Sequence, residues 1–263
     1  MSFADSMSFA DHERKTYLIF NARQGSQGQS WIGLDSFRKA FRWEMGSIHH
    51  RIDLGRLILI PAFTFFLTLN SLAVYRDLKN LDPINLIKAT GFINHLLIIC
   101  FYILLILLYF IRTSAVSTSR SPTTNIIAIL TAFLPFTLPL LKNNSFVGPL
   151  NALISSVIII LGMLLTIYAL LALGRNVSII PQARKLVKNG PYRLVRHPLY
   201  LGELISVFGI VAAEVTISKM MVFLLLMAAQ IYRSLREERL LESIFHEYQE
   251  YCSRTPRFIP GVF

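Results

Sequence analysis

The sequence predicts an all-α fold: a polytopic bundle of about six membrane-spanning helices that ends in a helical hairpin and a cytosolic tail. The chain of 263 residues is 54% hydrophobic and 16% charged, with a mean hydropathy of +0.53. This balance is typical of polytopic membrane proteins and not of soluble domains. Six apolar windows support the prediction, at roughly 57–75, 92–111, 125–141, 149–173, 199–217 and 219–235.

The region before the first window, residues 1–56, is polar and basic and predicts no membrane span. A Gly/Gln/Ser-rich patch at 24–30 indicates a flexible linker. Residues 31–56 mix aromatic with basic side chains, which predicts an amphipathic helix at the membrane interface. We expect this region to form the first of three parts of the chain.

The first four windows form a predicted four-span membrane part, residues 57–173. They contain no Asp, Glu, Lys or Arg, and the second carries only His95 as a titratable imidazole. A helix needs about 20 apolar residues to cross about 30 Å of hydrocarbon. The third window is short and contains Pro135 and Pro139, which predicts a kinked or tilted span. The last two windows are joined near Glu214–Lys219, which predicts a tight helical hairpin within the third part, 174–263.

The net charge of +11 is distributed unevenly, which argues for a membrane orientation and against a nucleic-acid partner. With six spans, 21 of the 26 lysines and arginines lie on the same side as both termini. The positive-inside rule makes that side cytoplasmic, where the basic residues also meet anionic lipid head groups. The two cysteines, Cys100 and Cys252, have neither disulfide-like nor metal-ligand spacing, so no metal is expected.

The segment LVKNGPYRLVRHPLY, residues 186–200, places a basic loop before an apolar helix. Pro198 suits the first helical position because proline lacks the N–H that would be unpaired there. Arg196 and His197 precede this helix start, where free N–H groups favour an anion. The segment therefore predicts an anion-binding cradle. The alternative is that Arg193 and Arg196 contact lipid heads while His197 caps the helix.

Polar residues within the last two windows are further candidates. Glu203 lies one turn after Leu199 and Tyr200, on their face, and a carboxylate at this depth is costly unless it faces a cavity or a partner. Gln230, Arg233 and Glu237 recur at helical spacing and form one stripe with Leu241 and Ile244. The alternatives are that Glu203 stays wet near the interface, and that Arg233 and Glu237 pair on a solvated face.

These motifs occur in an order that resembles the isoprenylcysteine carboxyl methyltransferase family and the related membrane phospholipid and thiol methyltransferases. GPYRLVRHPLYLG is followed by an apolar hairpin, REERLLESIFHEYQEY and RFIP, and the resemblance covers about 170–260. It implies S-adenosylmethionine as the cofactor, held at the cytosolic membrane face. The implied cofactor-binding residues, with Arg196 from the predicted cradle, are Leu186, Val187, Tyr192, Arg196, His197, Pro198, Leu199, Tyr200 and Glu237. A substrate-contacting arginine of the family matches Arg233.

The acceptor of the methyl group stays open at this point, because the 175–185 loop is shorter than in the eukaryotic enzymes and REER replaces a longer acidic run. A carboxylate acceptor, as in prenylcysteine, is already ionised near neutral pH and needs only Arg233 to orient it. A small thiol or a phospholipid amine must lose a proton, and His197 or Glu203 would be the base.

Two other functions remain open. One is a sterol-reductase-like NADPH-dependent membrane oxidoreductase, since those enzymes share a similar HPxYLG helix start and a tail that resembles RFIPGVF. The other is a non-catalytic membrane scaffold.

Overall fold

The computed structural model describes residues 54–79, 85–119, 121–141 and 147–259. Helices dominate this part of the chain. The predicted linker at 24–30 and nearly all of the predicted interfacial helix at 31–56 lie outside the described residues. The chain's apolar helices make it an integral membrane protein.

Seven α-helices and two very short strands follow one another in the described residues. They are α1 (Leu54–Lys79), α2 (Leu86–Ile111), β1 (Ser117–Thr118), α3 (Pro122–Phe133), α4 (Pro149–Leu173), β2 (Gln182–Ala183), α5 (Pro198–Ala213), α6 (Ile217–Ile244) and α7 (Tyr248–Arg254). Three 3₁₀ segments, Leu134–Leu141, Gly174–Asn176 and Gly190–Arg193, extend or connect them.

The predicted helical membrane fold is confirmed, with one difference in the spans. Five segments are long and apolar enough to cross a bilayer: Ile58–Lys79, Leu86–Ile111, Pro122–Leu141, Pro149–Asn176 and Ile217–Ile244. The window at 199–217 instead forms the shorter α5, of 16 residues. At 1.5 Å per residue, α5 is only about 24 Å long. The hydrocarbon core is about 30 Å thick, so α5 is too short to cross it without local thinning of the bilayer.

The third span changes its helical type where the prolines occur. It is α-helical to Phe133 and continues as a 3₁₀-helix from Leu134 to Leu141, with Pro139 inside that segment. Proline cannot donate the hydrogen bond that an α-helix requires and clashes with the preceding turn. The ring of Phe136 in this segment stacks on Phe66 of α1 at 3.7 Å between centroids, which ties the irregular end of the span to the bundle.

Helices α4 and α5 approach each other almost backbone to backbone. A β-carbon at Gly202 would lie 2.7 Å from the backbone N of Thr166 and 2.9 Å from the carbonyl oxygen of Gly162. A β-carbon at Gly209 would lie 3.0 Å from the backbone N of Ile159. Small residues at helix contacts permit this approach in membranes, where association depends on packing and not on the hydrophobic effect. The short α5 is therefore held by its fit to α4.

The predicted hairpin of the last two windows is present as α5 and α6. Its turn is closed by Thr216, whose side chain accepts a hydrogen bond from the backbone N of Lys219, and by a 2.5 Å ion pair between Lys219 and Glu214. Helix α6 continues nine residues beyond the predicted end of the window at 235, to Ile244. Its last turns are rich in Arg, Glu and Leu, which are strong helix formers. This extension carries polar side chains past the apolar part of the helix.

A small antiparallel ribbon connects two loops at the same end of the bundle. In β1 and β2, Ser117 pairs with Ala183 and Thr118 with Gln182. Backbone bonds continue the pairing on both sides, from Val116 N to the Ala183 carbonyl and from Ser119 N to the Pro181 carbonyl. The ribbon fixes the loop after α4 against the loop before α3.

Candidate functional site

A cleft lies between the loop after α4, the start of α5, the polar end of α6 and α7. Its lining combines four tyrosines, basic side chains, one carboxylate and leucines. The lining residues are Leu173, Asn176, Ser178, Gln182, Arg184, Lys185, Leu186, Val187, Tyr192, Arg196, His197, Leu199, Tyr200, Glu237, Leu241, Tyr248 and Tyr251. The cleft therefore brings together segments that lie more than 70 residues apart in the sequence.

The turn at 190–193 forms one wall of the cleft. Gly190 has a φ of +60°, a conformation that glycine adopts without strain. A β-carbon there would also lie 3.3 Å from both the Ala172 side chain and the Tyr168 hydroxyl of α4. Glycine thus permits the turn to lie directly on α4, and the chain then leads Tyr192, which is 8% exposed, into the cleft wall.

The residues after α7 hold the chain just before α5 through backbone hydrogen bonds. Arg196 N donates to the carbonyl of Pro256 at 2.8 Å, and His197 N donates to the carbonyl of Arg257 at 3.2 Å. The Tyr251 hydroxyl donates to the Tyr192 carbonyl at 2.6 Å. Burial raises the pKa of Tyr251 above its usual range, so this hydroxyl keeps its proton near neutral pH. We call residues 256–258 the tail strap.

Glu238 ties the tail strap to the helix start. Its carboxylate accepts two hydrogen bonds from Arg257, at 3.0 and 2.7 Å, and contacts Arg196 Nη1 at 3.0 Å and His197 Nε2 at 2.9 Å. Glu238 is only 7% exposed. A buried carboxylate is tolerated when it is paired and fully hydrogen-bonded. This one carboxylate joins α6, the segment before α5 and the tail strap.

Tyr200 connects the two helices of the hairpin inside the cleft. Its hydroxyl donates to Oε2 of Glu237 at 2.9 Å. Its ring stacks parallel to the His197 imidazole, with 5.4 Å between centroids, and lies 4.7 Å from the Arg233 guanidinium carbon. A cation over an aromatic face is stabilised by the ring quadrupole. Tyr200 thus lies between the cleft carboxylate and a buried arginine.

Behind Tyr200, a chain of polar side chains continues between α5 and α6. Arg233 donates to the Gln230 side-chain oxygen at 3.1 Å and to the Ile179 carbonyl at 3.0 Å. Gln230 in turn donates to the Glu203 carboxylate at 2.5 Å. Arg233 is 4% exposed, and its Nε is buried with no hydrogen-bond partner among the described residues. A buried donor of this kind can still take one hydrogen-bonding partner, such as an oxygen of a bound molecule.

Most of the predicted cofactor residues line one cavity. Leu186, Val187, Tyr192, Arg196, His197, Leu199, Tyr200 and Glu237 are among the lining residues, whereas Pro198 is buried as the first residue of α5. The other two predicted catalytic residues, Arg233 and Glu203, lie in the polar chain behind Tyr200.

The observed contacts contradict two of the alternative interpretations: that His197 caps α5, and that Arg233 pairs with Glu237. The His197 side chain does not cap α5, since the cap has no side-chain hydrogen bond and the imidazole contacts Glu238. Arg233 directs its guanidinium to Gln230 and Ile179, and Glu237 accepts from Tyr200 instead.

Sequence reasoning missed the partners that hold the site in shape. Glu238 is next to Glu237 in the REER motif, and only its position in the folded chain separates their roles. Arg257 lies in the quoted RFIP segment, so a signal existed, but its contact with Glu238 could not be derived from spacing. Ser178, Gln182 and Arg184, which form a hydrogen-bonded group in the cleft wall, also gave no signal in the sequence.

The cleft is narrow, with about 70 Å³ of free space. Small-molecule sites typically have about 300–1,000 Å³, so a nucleoside-sized ligand requires the walls to part. The loop at 185–188 has no regular secondary structure, and loops are in general more mobile than the elements they connect. It is joined to the start of α7 by an ion pair of Lys188 with Glu247 at 2.6 Å, with both side chains more than a third exposed. Exposed pairs contribute only about 0–1 kcal/mol.

Comparison with known proteins places the cleft within a recognised segment. Residues 150–248 match the family model described as phospholipid methyltransferase. This range contains α5, α6, all but the first residue of α4 and all of the lining residues of the cleft except Tyr251. The resemblance to the membrane methyltransferase superfamily is thereby confirmed for this part of the chain.

Two curated relatives match shorter stretches. The cobalt-zinc-cadmium resistance protein CzcN of Cupriavidus metallidurans is 40% identical over 78 residues, which cover 29% of this chain and 36% of CzcN. The nickel-cobalt-cadmium resistance protein NccN of Alcaligenes xylosoxydans xylosoxydans is 34% identical over 84 residues, covering 31% of this chain and 38% of NccN. The chain thus spans little more than a third of the length of these relatives. Within the described residues, no group of three or more His, Cys, Asp or Glu could hold a metal ion.

One solved structure is similar over most of the chain. It is the eukaryotic intramembrane Ras methyltransferase, an isoprenylcysteine carboxyl methyltransferase, with 19% sequence identity and a TM-score of 0.45. The match covers 97% of this chain and 95% of that chain.

Proposed function

We propose that this protein is an integral membrane S-adenosylmethionine-dependent methyltransferase, because residues 150–248 match the family model described as phospholipid methyltransferase. Its acceptor is a lipophilic or small molecule that carries a carboxylate, a thiol or an amine. The observation that carries the proposal is the Tyr200–Glu237 pair in a cleft at the polar end of the membrane hairpin. That cleft contains eight of the nine side chains that the resemblance and the predicted anion cradle assign to the cofactor.

The side chains of the cleft suit the chemistry of S-adenosylmethionine. Tyr192, Tyr248 and Tyr251 offer aromatic faces for a flat adenine. The Glu237 carboxylate can accept hydrogen bonds from ribose hydroxyls or an ammonium group, and Arg196 can attract a carboxylate. Burial raises the pKa of Tyr192 and Tyr248, so both remain neutral donors. The cofactor, when bound, supplies an electrophilic methyl group on a positively charged sulfonium.

Glu237 is the residue we expect to fix the cofactor. It is half-buried and takes the Tyr200 hydroxyl bond on Oε2, so its carboxylate is held in one orientation. Pre-orientation of binding groups lowers the entropic cost of bringing two reactants together, which contributes about 7–11 kcal/mol in the best intramolecular cases. Tyr200 and Glu237 would then define where the methyl group is presented.

Arg233 is the residue we expect to orient the acceptor. Its guanidinium is fixed by Gln230, the Ile179 carbonyl and the Tyr200 ring, and its buried Nε lacks a partner. An acceptor carboxylate would satisfy that donor. Transfer to a carboxylate forms an oxygen–carbon bond as the sulfur–carbon bond breaks, and no proton moves. The buried surroundings exclude water from the reacting groups.

A thiol or amine acceptor must release a proton, and the two candidate bases differ in their surroundings. His197 Nε2 is engaged by Glu238, which is itself held by two arginines. Glu203 has one carboxylate oxygen bonded to Gln230 and lies on the membrane side of Tyr200. We therefore assign His197 to positioning the helix start and Glu203 to accepting the proton when the acceptor is an amine or a thiol.

The first experiment measures cofactor binding. Glu237→Ala should abolish binding of S-adenosylmethionine to the purified protein in detergent, measured by calorimetry. Glu242→Ala, an exposed carboxylate on the same helix, is the matched control and should bind normally. Unchanged affinity in Glu237→Ala would remove Glu237 from the site.

The second experiment separates the three classes of function and the three acceptors. The protein is equilibrated with labelled S-adenosylmethionine and with NADPH, then assayed for methyl incorporation into prenylcysteine, small thiols and phospholipid extracts. Methyl incorporation supports the proposal and identifies the acceptor. Binding of NADPH alone would indicate the oxidoreductase, and binding of neither would indicate a scaffold.

A further inference from the structure

A second cavity lies on another face of α6, beside the ribbon and the start of α3. We call it the hydroxyl-arginine groove. It is lined by Ser117, Thr118, Ser119, Ser121, Thr124, Arg236, Arg239, Leu240 and Ser243, and it has about 420 Å³ of open space. The lining has six hydroxyl side chains, two guanidinium groups and no carboxylate.

The two arginines supply uncompensated positive charge to this groove. Both are exposed, and within the described part of the chain neither forms an ion pair. Arg236 donates through Nε to the Tyr232 hydroxyl at 3.1 Å and lies over that ring. This contact leaves both Nη groups of Arg236 available. Guanidinium groups bind phosphate oxygens with paired, charge-assisted hydrogen bonds.

The hydroxyl groups of the groove come from three elements that meet there: β1, the start of α3 and α6. Ser117 and Thr118 form β1, and Ser121 caps α3 by accepting from the backbone N of Thr124. The Thr124 hydroxyl lies 3.3 Å from that of Tyr232, which links the start of α3 to α6. Hydroxyls can donate to the same phosphate oxygens that the arginines attract.

The position of the groove relative to the candidate spans favours a lipid phosphate over a soluble one. Pro122, beside the groove, is the first residue of a candidate span. Arg236 and Arg239 come directly after the apolar stretch of α6, and Tyr232 precedes them at the position where aromatic belts meet the interface. Lipid phosphates lie at this level, and basic pockets between spanning helices bind anionic head groups.

The groove is separate from the proposed active site. Glu237 and Leu241 of α6 line the cleft, whereas Arg236, Arg239, Leu240 and Ser243 line the groove. The ribbon lies between them, with Ser117 and Thr118 on the groove side and Gln182 of β2 in the cleft. We propose that the hydroxyl-arginine groove binds the phosphate of an anionic phospholipid head group. This site is independent of methyl transfer.

The test measures lipid retention by the purified protein in detergent, using native mass spectrometry. Phosphatidylglycerol should be retained at least fivefold more than phosphatidylcholine. Arg236→Gln and Arg239→Gln should each reduce phosphatidylglycerol retention about fivefold, as expected for loss of one interfacial arginine. Arg254→Gln removes an equal charge from an exposed arginine outside the groove and should leave retention unchanged.

A second variant keeps the proposal testable if an arginine variant fails to fold. Thr118→Val keeps the size and branching of the side chain and removes only its hydroxyl. It should therefore reduce retention about threefold. Equal retention of the two lipids, or an equal loss in Arg254→Gln, would overturn the proposal. Displacement of phosphatidylglycerol by millimolar inorganic phosphate would assign the groove to a soluble anion and would overturn the lipid assignment.

Discussion

The hydroxyl of Tyr200 donates a 2.9 Å hydrogen bond to Oε2 of Glu237, across the gap between the two helices of the terminal hairpin. The two residues lie 37 positions apart in the sequence. Their contact makes the orientation of the cleft carboxylate depend on how α5 packs against α6. Substitutions that alter this packing should therefore change the affinity for the cofactor even when the substituted residue does not contact it.

Tyr200→Phe should weaken the binding of S-adenosylmethionine about tenfold. The variant keeps the ring that lies under Arg233 and removes only the hydroxyl bond to Glu237. A hydrogen bond to a charged group contributes about 1.5–3 kcal/mol, part of which water can replace at a half-buried carboxylate. Calorimetry measures the affinity, and Tyr75→Phe, an exposed tyrosine on α1, is the control. An affinity equal to that of the native protein would show that Glu237 does not need Tyr200.

Glu238→Gln should destabilise the protein by roughly 3–5 kcal/mol, because removing one partner of a buried ion pair leaves the others uncompensated. Here Arg196 and Arg257 would face a neutral amide. Thermal unfolding in detergent measures the loss, with Glu250→Gln, whose pair with Arg254 is largely exposed, expected to change by less than about 1 kcal/mol. Equal unfolding temperatures for the two variants would contradict the role given to Glu238.

Gly202→Ala should destabilise the contact of α4 with α5 by about 1–3 kcal/mol, the usual cost of overpacking. The added methyl group would meet the Thr166 and Gly162 backbones at under 3 Å, and backbone cannot rotate away as a side chain can. Gly91→Ala on α2 is the matched control, because nothing lies within 4 Å of its β-carbon. It should be neutral or slightly stabilising, since alanine favours helices over glycine. The measurement is again thermal unfolding.

Lys188→Gln should speed cofactor association without changing the cofactor's contacts. The proposed cofactor is larger than the free space of the cleft, so we expect the 185–188 loop to move outward when it binds. The Lys188–Glu247 pair joins that loop to the start of α7. An exposed pair contributes at most about 1 kcal/mol, so the gain in association rate should not exceed about fivefold. Stopped-flow fluorescence measures the rate. Hydrogen exchange of the loop should slow when S-adenosylmethionine is bound, and exchange that is the same with and without cofactor would contradict loop movement.

The membrane helices could be predicted from the sequence because apolar windows identify them directly. The assignment of Tyr200 and Glu237 to one site came from the family resemblance that the order of the RHPLY and REER motifs carries, and in the structure both residues line one cleft. Glu238 could not be assigned in this way. Adjacent helical residues point about 100° apart, so Glu237 faces the cleft while Glu238 faces Arg257, and only the position of the tail strap distinguishes them.

The residue at which α5 ends could not be predicted from hydropathy either. The window at 199–217 continues past Glu214 to Ile217, but the helix stops at Ala213 and Glu214 pairs with Lys219. Hydropathy does not detect that local pairing. The part that Gly202 and Gly209 play in helix packing could not be predicted either, because it depends on which helix lies opposite.

The tail strap makes the shape of the cleft depend on residues that do not line it. Pro256 and Arg257 supply the backbone acceptors for Arg196 and His197, and Arg257 supplies one of the cations that pair with Glu238. A single proteolytic cut after the exposed Arg254 would separate the strap from the covalent chain and leave α1 to α7 whole. We expect such a cut to loosen the wall of the cleft while the spanning helices stay folded.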